Sequence, residues 1–536
     1  MTRPTRTRWA VAGFGLALAV SGVLVAGPRV QPTPGSRPTG SSSSPADTPV
    51  AFYSPGDHRM FAGLDSPDRT PFASAARPPG FTAPPPGSGV RRYLAQVLHW
   101  APCGGLDCAV VTVPLDWDDP DGEAITLSLK RARATQARVG TLFINPGGPG
   151  GSGIDFLSWF PASQFPGYDV IGWDPRGSGM STPVRCGTPA ETDAYFAVDA
   201  SPETPAEWQA LRRAQTAFAR QCRTASGALL DHISTIDTAR DLDYLRYLAG
   251  EARLNYLGVS YGTYLGAVYA ELYPRRVGRM VLDSAVNITD DPSLIQAIGF
   301  DLALRSFAAW CAARSCGLGP SPDRVVATVT GLFDRLDARP VPVGARHLTQ
   351  TLAVGGVASF LYGGVVGYQG LSRAVETAVD GSGAGLLAAA DRLNGRRADG
   401  SYDPVAYAYP GIACRDAGDD GWVHDAAAWA GDARLAPVFG KYFGPPVSCD
   451  VWSARPADQL HITASGAPPI VVLGVTGDPA TPYQQAVAMA RQLMSGVLVT
   501  WRGAGHSAFV LGGSCVRRTV LDYVNDGVVP PDGRTC

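Results

Sequence analysis

From Val90 onward short β-branched runs, closed by Gly, Asp or Ser, alternate with longer amphipathic stretches. Thr141–Ile144 runs into a glycine-rich turn, Asp169–Trp173 stops at Asp174, Leu254–Val259 at Ser260 and Arg279–Leu282 at Asp283, while Ile470–Val475 and Val497–Trp501 follow far downstream. This alternation predicts an α/β fold with a mostly parallel central sheet, because parallel neighbours need a crossover that a helix supplies. Functional groups in such sheets gather at the C-terminal ends of the strands, where the punctuating residues lie. Between Asn287 and Pro468 the strand signal fades and Ala-rich helical stretches such as Pro292–Ala313 and Asp323–Leu336 dominate. The expected organisation is a core segment over 90–288, a mostly helical cap over 289–467 and a second core segment over 468–536.

Arg3, Arg6 and Arg8 precede the apolar run Trp9–Ala26, so residues 1–27 read as an export signal with Val25 and Gly27 at a cleavage site. Left uncleaved, the same run is near the lower length limit of a membrane helix and would tether the protein to the cell envelope. Residues 28–89 are rich in Pro, Ser, Thr and Gly, with the runs Ser41–Ser44 and Pro84–Pro86, and read as a linker or propiece unable to bury enough apolar surface to fold. Ten cysteines follow the export segment, which predicts disulfides in an oxidising compartment and a secreted protein. Sequence proximity suggests Cys103 with Cys108, Cys186 with Cys222, Cys311 with Cys316, Cys414 with Cys449 and Cys515 with Cys536. None has zinc-ligand spacing, and neither a metal nor another cofactor is expected. A formal net charge of −2 over 536 residues argues against nucleic acid as a partner.

Gly258-Val259-Ser260-Tyr261-Gly262 matches G-x-S-x-G, a weak pattern in a chain with 63 glycines. Its setting is stronger: a strand-like run precedes it and a helix-like run, Tyr261–Tyr273, follows until Pro274, the context of a nucleophile elbow. A serine hydroxyl needs a general base, and the base an orienting carboxylate. His506, in the glycine-rich turn after the last core strand, is the expected base, and Asp478, after the preceding strand, the expected acid. Asp283 also ends a core strand; it is the rival acid, or a loop or substrate-pocket residue. Asn145–Gly153 follows a core strand and can aim a backbone N–H at a developing oxyanion, with Gly148 and Tyr261 the expected donors. The loop lacks the G-K-[ST] ending of a phosphate cradle. In Asp174–Gly179, Asp174 and Arg176 are expected to pin loops.

Asn145–Gly153, Asp174–Ser181, Gly258–Pro274, Arg279–Asp283, Gly477–Tyr483 and Gly505–Phe509 together resemble the secreted tripeptidyl aminopeptidases, relatives of prolyl iminopeptidase in the α/β-hydrolase superfamily. The resemblance covers most of 90–536, including the cysteine-bearing tail. It implies an α/β-hydrolase fold and a serine exopeptidase that releases short peptides from a substrate with a free N-terminus. An acidic residue follows a cysteine late in the family's cap, which implies Asp416 as the anchor for the substrate ammonium; the alternative is a surface aspartate paired with Arg415. The chain departs from the pattern at Asn145, where prolyl iminopeptidases usually have His, and at Ser284, where the branch often has Gly. Because the branch also holds esterase-like enzymes, an exported esterase or amidase, or a non-catalytic binding protein of this fold, stays open.

Overall fold

A computed structural model describes residues 80–417, 422–445, 449–452 and 454–536. The expected export segment 1–27 and residues 28–79 of the expected linker lie outside the described residues. The central sheet has eleven strands: β1 (Phe81–Thr82), β2 (Ala101–Cys103), β3 (Leu106–Pro114), β4 (Ala124–Ala132), β5 (Gly140–Asn145), β6 (Tyr168–Trp173), β7 (Leu254–Val259), β8 (Val277–Asp283), β11 (Ile470–Gly477), β12 (Gly496–Ala504) and β13 (Arg534–Thr535). A separate hairpin, β9 (Val341–Val343) and β10 (Arg346–Leu348), lies in the sequence between β8 and β11. The spatial order is β13-β12-β11-β8-β7-β5-β6-β4-β3-β2, with β1 paired to β4. All pairings from β6 to β13 are parallel, and those among β1, β2, β3, β4 and β6 are antiparallel.

The parallel strands read as continuous apolar runs because both faces are covered. β5 and β6 are buried at every position, and alternate residues enter opposite cores. Phe143, Ile171, Trp173 and Tyr256 pack on one side, Leu142, Ile144, Val170 and Leu257 on the other. Each such buried side chain contributes about 1.5–3 kcal/mol to the fold. Two buried clamps lock the loops at the strand ends. Asp174 accepts from Ser152 Oγ at 2.6 Å and Met180 N at 2.7 Å, and burial pushes its carboxyl up to about 6. Arg176 forks onto Asp241 at 2.7 Å and donates to the carbonyls of Leu115 and His232.

Between β8 and β11 run the helices Gln296–Ala313, Pro322–Ala338, Gln350–Leu361, Val365–Val379, Ala384–Leu393, Val405–Ala417 and Trp422–Leu435. They form a cap that also recruits helices from the first core segment. Pro189–Ala197 and Pro205–Ser226, between β6 and β7, pack on it through Phe196 against Tyr402 (5.7 Å) and Phe218 against Tyr407 (6.2 Å). Arg396 donates to Asp193 at 2.7 Å across the same boundary. The cap therefore extends into 90–288, and the sheet starts within the expected linker, at Phe81. All ten cysteines pair as Cys103–Cys108, Cys186–Cys222, Cys311–Cys316, Cys414–Cys449 and Cys515–Cys536.

Candidate active site

Ser260 occupies the one-residue turn between β7 and the helix Tyr261–Leu272, at φ 59° and ψ −128°. A non-glycine residue held there stores about 1–3 kcal/mol of strain. The turn closes because its flanks are bare: a Cβ at Gly258 would sit 2.3 Å from the Gly262 carbonyl, and one at Gly262 2.8 Å from Asn145 Oδ1. Ser260 N donates to Asp283 O at 2.9 Å, which ties the turn to the end of β8. The helix N-terminus, with its partial positive charge, begins at the next residue.

Asp478 follows β11 and His506 follows β12, so the three side chains stand at the C-terminal ends of β7, β11 and β12. His506 Nδ1 donates to Asp478 Oδ1 at 2.8 Å, and the same oxygen accepts from Ala480 N and Thr481 N, each at 3.0 Å. Asp478 and His506 are 2% and 3% exposed. The bond fixes the Nδ1–H tautomer and leaves Nε2 as a lone-pair acceptor, buried without a hydrogen-bond partner among the described residues. Between the two expected acids the geometry favours Asp478 for the imidazole. Asp283 serves the neighbouring residues instead. Fully buried, its carboxylate accepts from Ser507 Oγ at 2.5 Å, Ala508 N at 2.8 Å and Phe509 N at 3.0 Å. It anchors the loop that carries His506, and it has no exposed surface to line a substrate pocket. Ser284 assists it. At φ 54° this position suits glycine, but the serine Oγ accepts Ser507 N at 2.8 Å and so supports the same loop.

The glycine-rich loop after β5 lies against the turn. A Cβ at Gly147 would meet Val259 O at 2.5 Å, Ser260 Cβ at 2.9 Å and Tyr261 N at 3.0 Å, so only glycine permits this approach. Gly147 N donates to Asn145 Oδ1 at 2.9 Å, which explains the asparagine: its side chain holds the loop. Gly148 N and Tyr261 N, the expected donors, have no hydrogen-bond acceptor among the described residues. Gly147 is the contact that sequence reasoning passed over, although it lay inside the loop singled out.

Asp416 ends the cap helix Val405–Ala417 and is 6% exposed, which overturns its alternative as a surface residue paired with Arg415. Its carboxylate accepts from Thr235 N at 2.8 Å and Thr235 Oγ1 at 2.6 Å. Thr235 Oγ1 also meets the hydroxyl of Tyr261, so Asp416 is two hydrogen bonds from the residue beside Ser260. Burial pushes the Asp416 carboxyl up to about 7, against the lowering effect of the Thr235 hydrogen bonds. No sequence pattern marks Thr235; the chain fold brings it to Asp416.

Residues 140–359 match the α/β hydrolase fold family, and residues 436–536 match the family described as TAP-like protein. The chain is 36% identical over 480 residues to the serine protease Hip1 of Mycobacterium tuberculosis, covering 83% of this chain and 91% of the relative. It is 35% identical over 508 residues to carboxylesterase B of the same species, covering 87% and 94%. To the tripeptidyl aminopeptidase of Streptomyces lividans it is 31% identical over 472 residues, covering 82% and 86%. The chain belongs to the α/β-hydrolase family of serine hydrolases that carries a TAP-like C-terminal segment.

Proposed function

We propose that the protein is an exported serine aminopeptidase that releases short peptides, of the tripeptidyl kind, from free N-termini. The observation that carries the chemistry is the His506–Asp478 bond at 2.8 Å beside a strained serine turn, all three at ends of parallel strands. Ser260 Oγ attacks the scissile carbonyl carbon as its proton passes to His506 Nε2, and Asp478 stabilises the imidazolium. Gly148 N–H and Tyr261 N–H receive the oxyanion. His506 returns the proton to the leaving amine, and a water, deprotonated in turn by His506, cleaves the acyl-enzyme. Asp416 binds the substrate ammonium, whose burial needs an opposite charge. The tripeptidyl aminopeptidase relative supports this substrate class, and five disulfides support export through the N-terminal basic and apolar segment.

Similarity to carboxylesterase B favours a second reading, an exported esterase acting on small substrates. Matched tripeptide substrates with free and acetylated N-termini, run beside a short-chain ester, separate the two. The aminopeptidase reading expects the free-amine peptide to be cut far faster than its acetylated twin. Equal rates on both peptides, or an ester as the one good substrate, would sink it.

A further inference from the structure

The histidine loop is held from two sides, and only one of them is the hydrolase core. The core side consists of Asp283 and Ser284 on Ser507–Phe509, and of Gly505 N donating to Gly477 O at 3.1 Å. The other side is the corner that ends the cap helix Gln350–Leu361. There, His506 N donates to the carbonyl of Tyr362 at 2.9 Å. The Tyr362 ring stands edge-on to the imidazole, with centroids 5.3 Å apart and planes at 84°. Phe300 backs the ring at 5.5 Å and packs in turn on Phe439 and Phe443, so the tyrosine belongs to an aromatic block of the cap. Two residues on, Gly364 at φ 54° touches the loop backbone: a Cβ there would lie 2.2 Å from Ala504 O and 2.9 Å from Gly505 N.

We infer that Tyr362 is a positioning residue for His506, so that the cap is part of the general-base machinery as well as a cover over the substrate. This rests on the proposed role of His506 as base. Asp478 fixes one edge of the imidazole and the Tyr362 ring limits its swing on the other flank. The Tyr362 carbonyl fixes the height of the backbone that carries both. The tyrosine hydroxyl takes no part: it is buried without a hydrogen-bond partner among the described residues. Ring and carbonyl act, and phenylalanine supplies both.

The test is a double-mutant cycle of Tyr362→Leu and Tyr362→Phe with His506→Ala, assayed by steady-state kinetics on an activated ester, with Ser260 titrated by a fluorophosphonate to count active sites. Tyr362→Phe is expected to stay within about twofold of wild type. Tyr362→Leu is expected to lower kcat by about tenfold or more with KM little changed, because small displacements of a catalytic group cost large factors in rate. In the His506→Ala background Tyr362→Leu is expected to cost nothing further, since residues that act through one another are not additive. If Tyr362→Leu lowers the rate equally in both backgrounds, or if Tyr362→Phe raises KM, the seating role is wrong. If His506→Ala itself retains wild-type activity, the base assignment fails instead. Gly364→Ala, which pushes the same corner off the loop without opening a cavity, should repeat the Tyr362→Leu pattern; wild-type kcat in that variant also overturns the inference.

Discussion

Asp416→Asn isolates the charge that would recognise a peptide N-terminus. The substitution keeps the size of the side chain and an oxygen able to accept Thr235 N, while Thr235 Oγ1 can turn to accept from the new amide. At an ammonium-to-carboxylate distance of about 3 Å and an effective dielectric constant of about 20, the Coulomb attraction is about 5.5 kcal/mol. Desolvation of both ions takes back a large part, and removing one partner of a buried charge pair typically costs about 2–5 kcal/mol. The expected loss in kcat/KM on a free-amine tripeptide substrate is therefore about 2–4 kcal/mol, roughly 30- to 1000-fold. The acetylated peptide has no ammonium, and its slow turnover should change by less than about threefold.

The pH dependence follows from the same carboxyl. Burial pushes it from 3.8 up to about 7, so it is charged above that value, while an α-amino group is charged below about 8. The rate ratio of free-amine to acetylated substrate should peak between about pH 7 and 8, and Asp416→Asn should lose the acid limb of that ratio. For stability the sign is opposite to that of a salt-bridged aspartate. The folded chain holds this proton more tightly than the unfolded one, so wild type loses stability as pH rises from about 4 to 7, and the asparagine variant should lose less, keeping the contribution of Asp174. Paired pH-rate profiles and urea melts at pH 5 and 8 check both. An equal loss on free and acetylated peptides, or none on the free peptide, would refute the ammonium anchor.

Two other substitutions probe the frame around Ser260 and His506. Gly147→Ala places a Cβ 2.5 Å from Val259 O at a backbone φ of 95°, so kcat per titrated site should fall by about 100-fold or more while the chain stays folded by circular dichroism; unimpaired turnover would show that the loop does not set the geometry. Asp283→Asn replaces one of the two accepting oxygens by an amide N–H that faces at least one backbone donor of the loop, so denaturant melts should show about 1–3 kcal/mol of lost stability together with reduced kcat. An unchanged melt would contradict the anchoring role.

The parallel half of the sheet was legible because its strands are buried on both faces and end in turn residues, as at Val259–Ser260 and Leu282–Asp283. The antiparallel strands β2, β3 and β4 escaped notice because no crossover helix separates them to set a rhythm. Helices Pro189–Ala197 and Pro205–Ser226 announce themselves by capping boxes at Thr188 with Glu191 and Thr204 with Glu207, yet nothing local says which body they cover. That depends on partners such as Tyr402 and Tyr407, far along the chain. At the site, Ser260, Asp478 and His506 stood out because each follows a strand in a tight turn. Thr235, Ser284 and Tyr362 did not, because their roles exist only in contacts with remote segments. Thr235 and Asp416 are 181 residues apart. Asp283 was read in outline, as a strand-end carboxylate near the histidine, but its three donors come from the folded loop alone.

The proposed mechanism stands on Ser260 as the nucleophile, activated by His506. Treatment with a fluorophosphonate, followed by proteolysis and mass mapping, reads out that serine by itself. Wild type should carry a single adduct, on Ser260; Ser260→Ala should carry none, and His506→Ala should react at least about 100-fold more slowly. Labelling of Ser260→Ala at the wild-type rate, or an adduct mapped to another residue, would show that Ser260 is not the nucleophile.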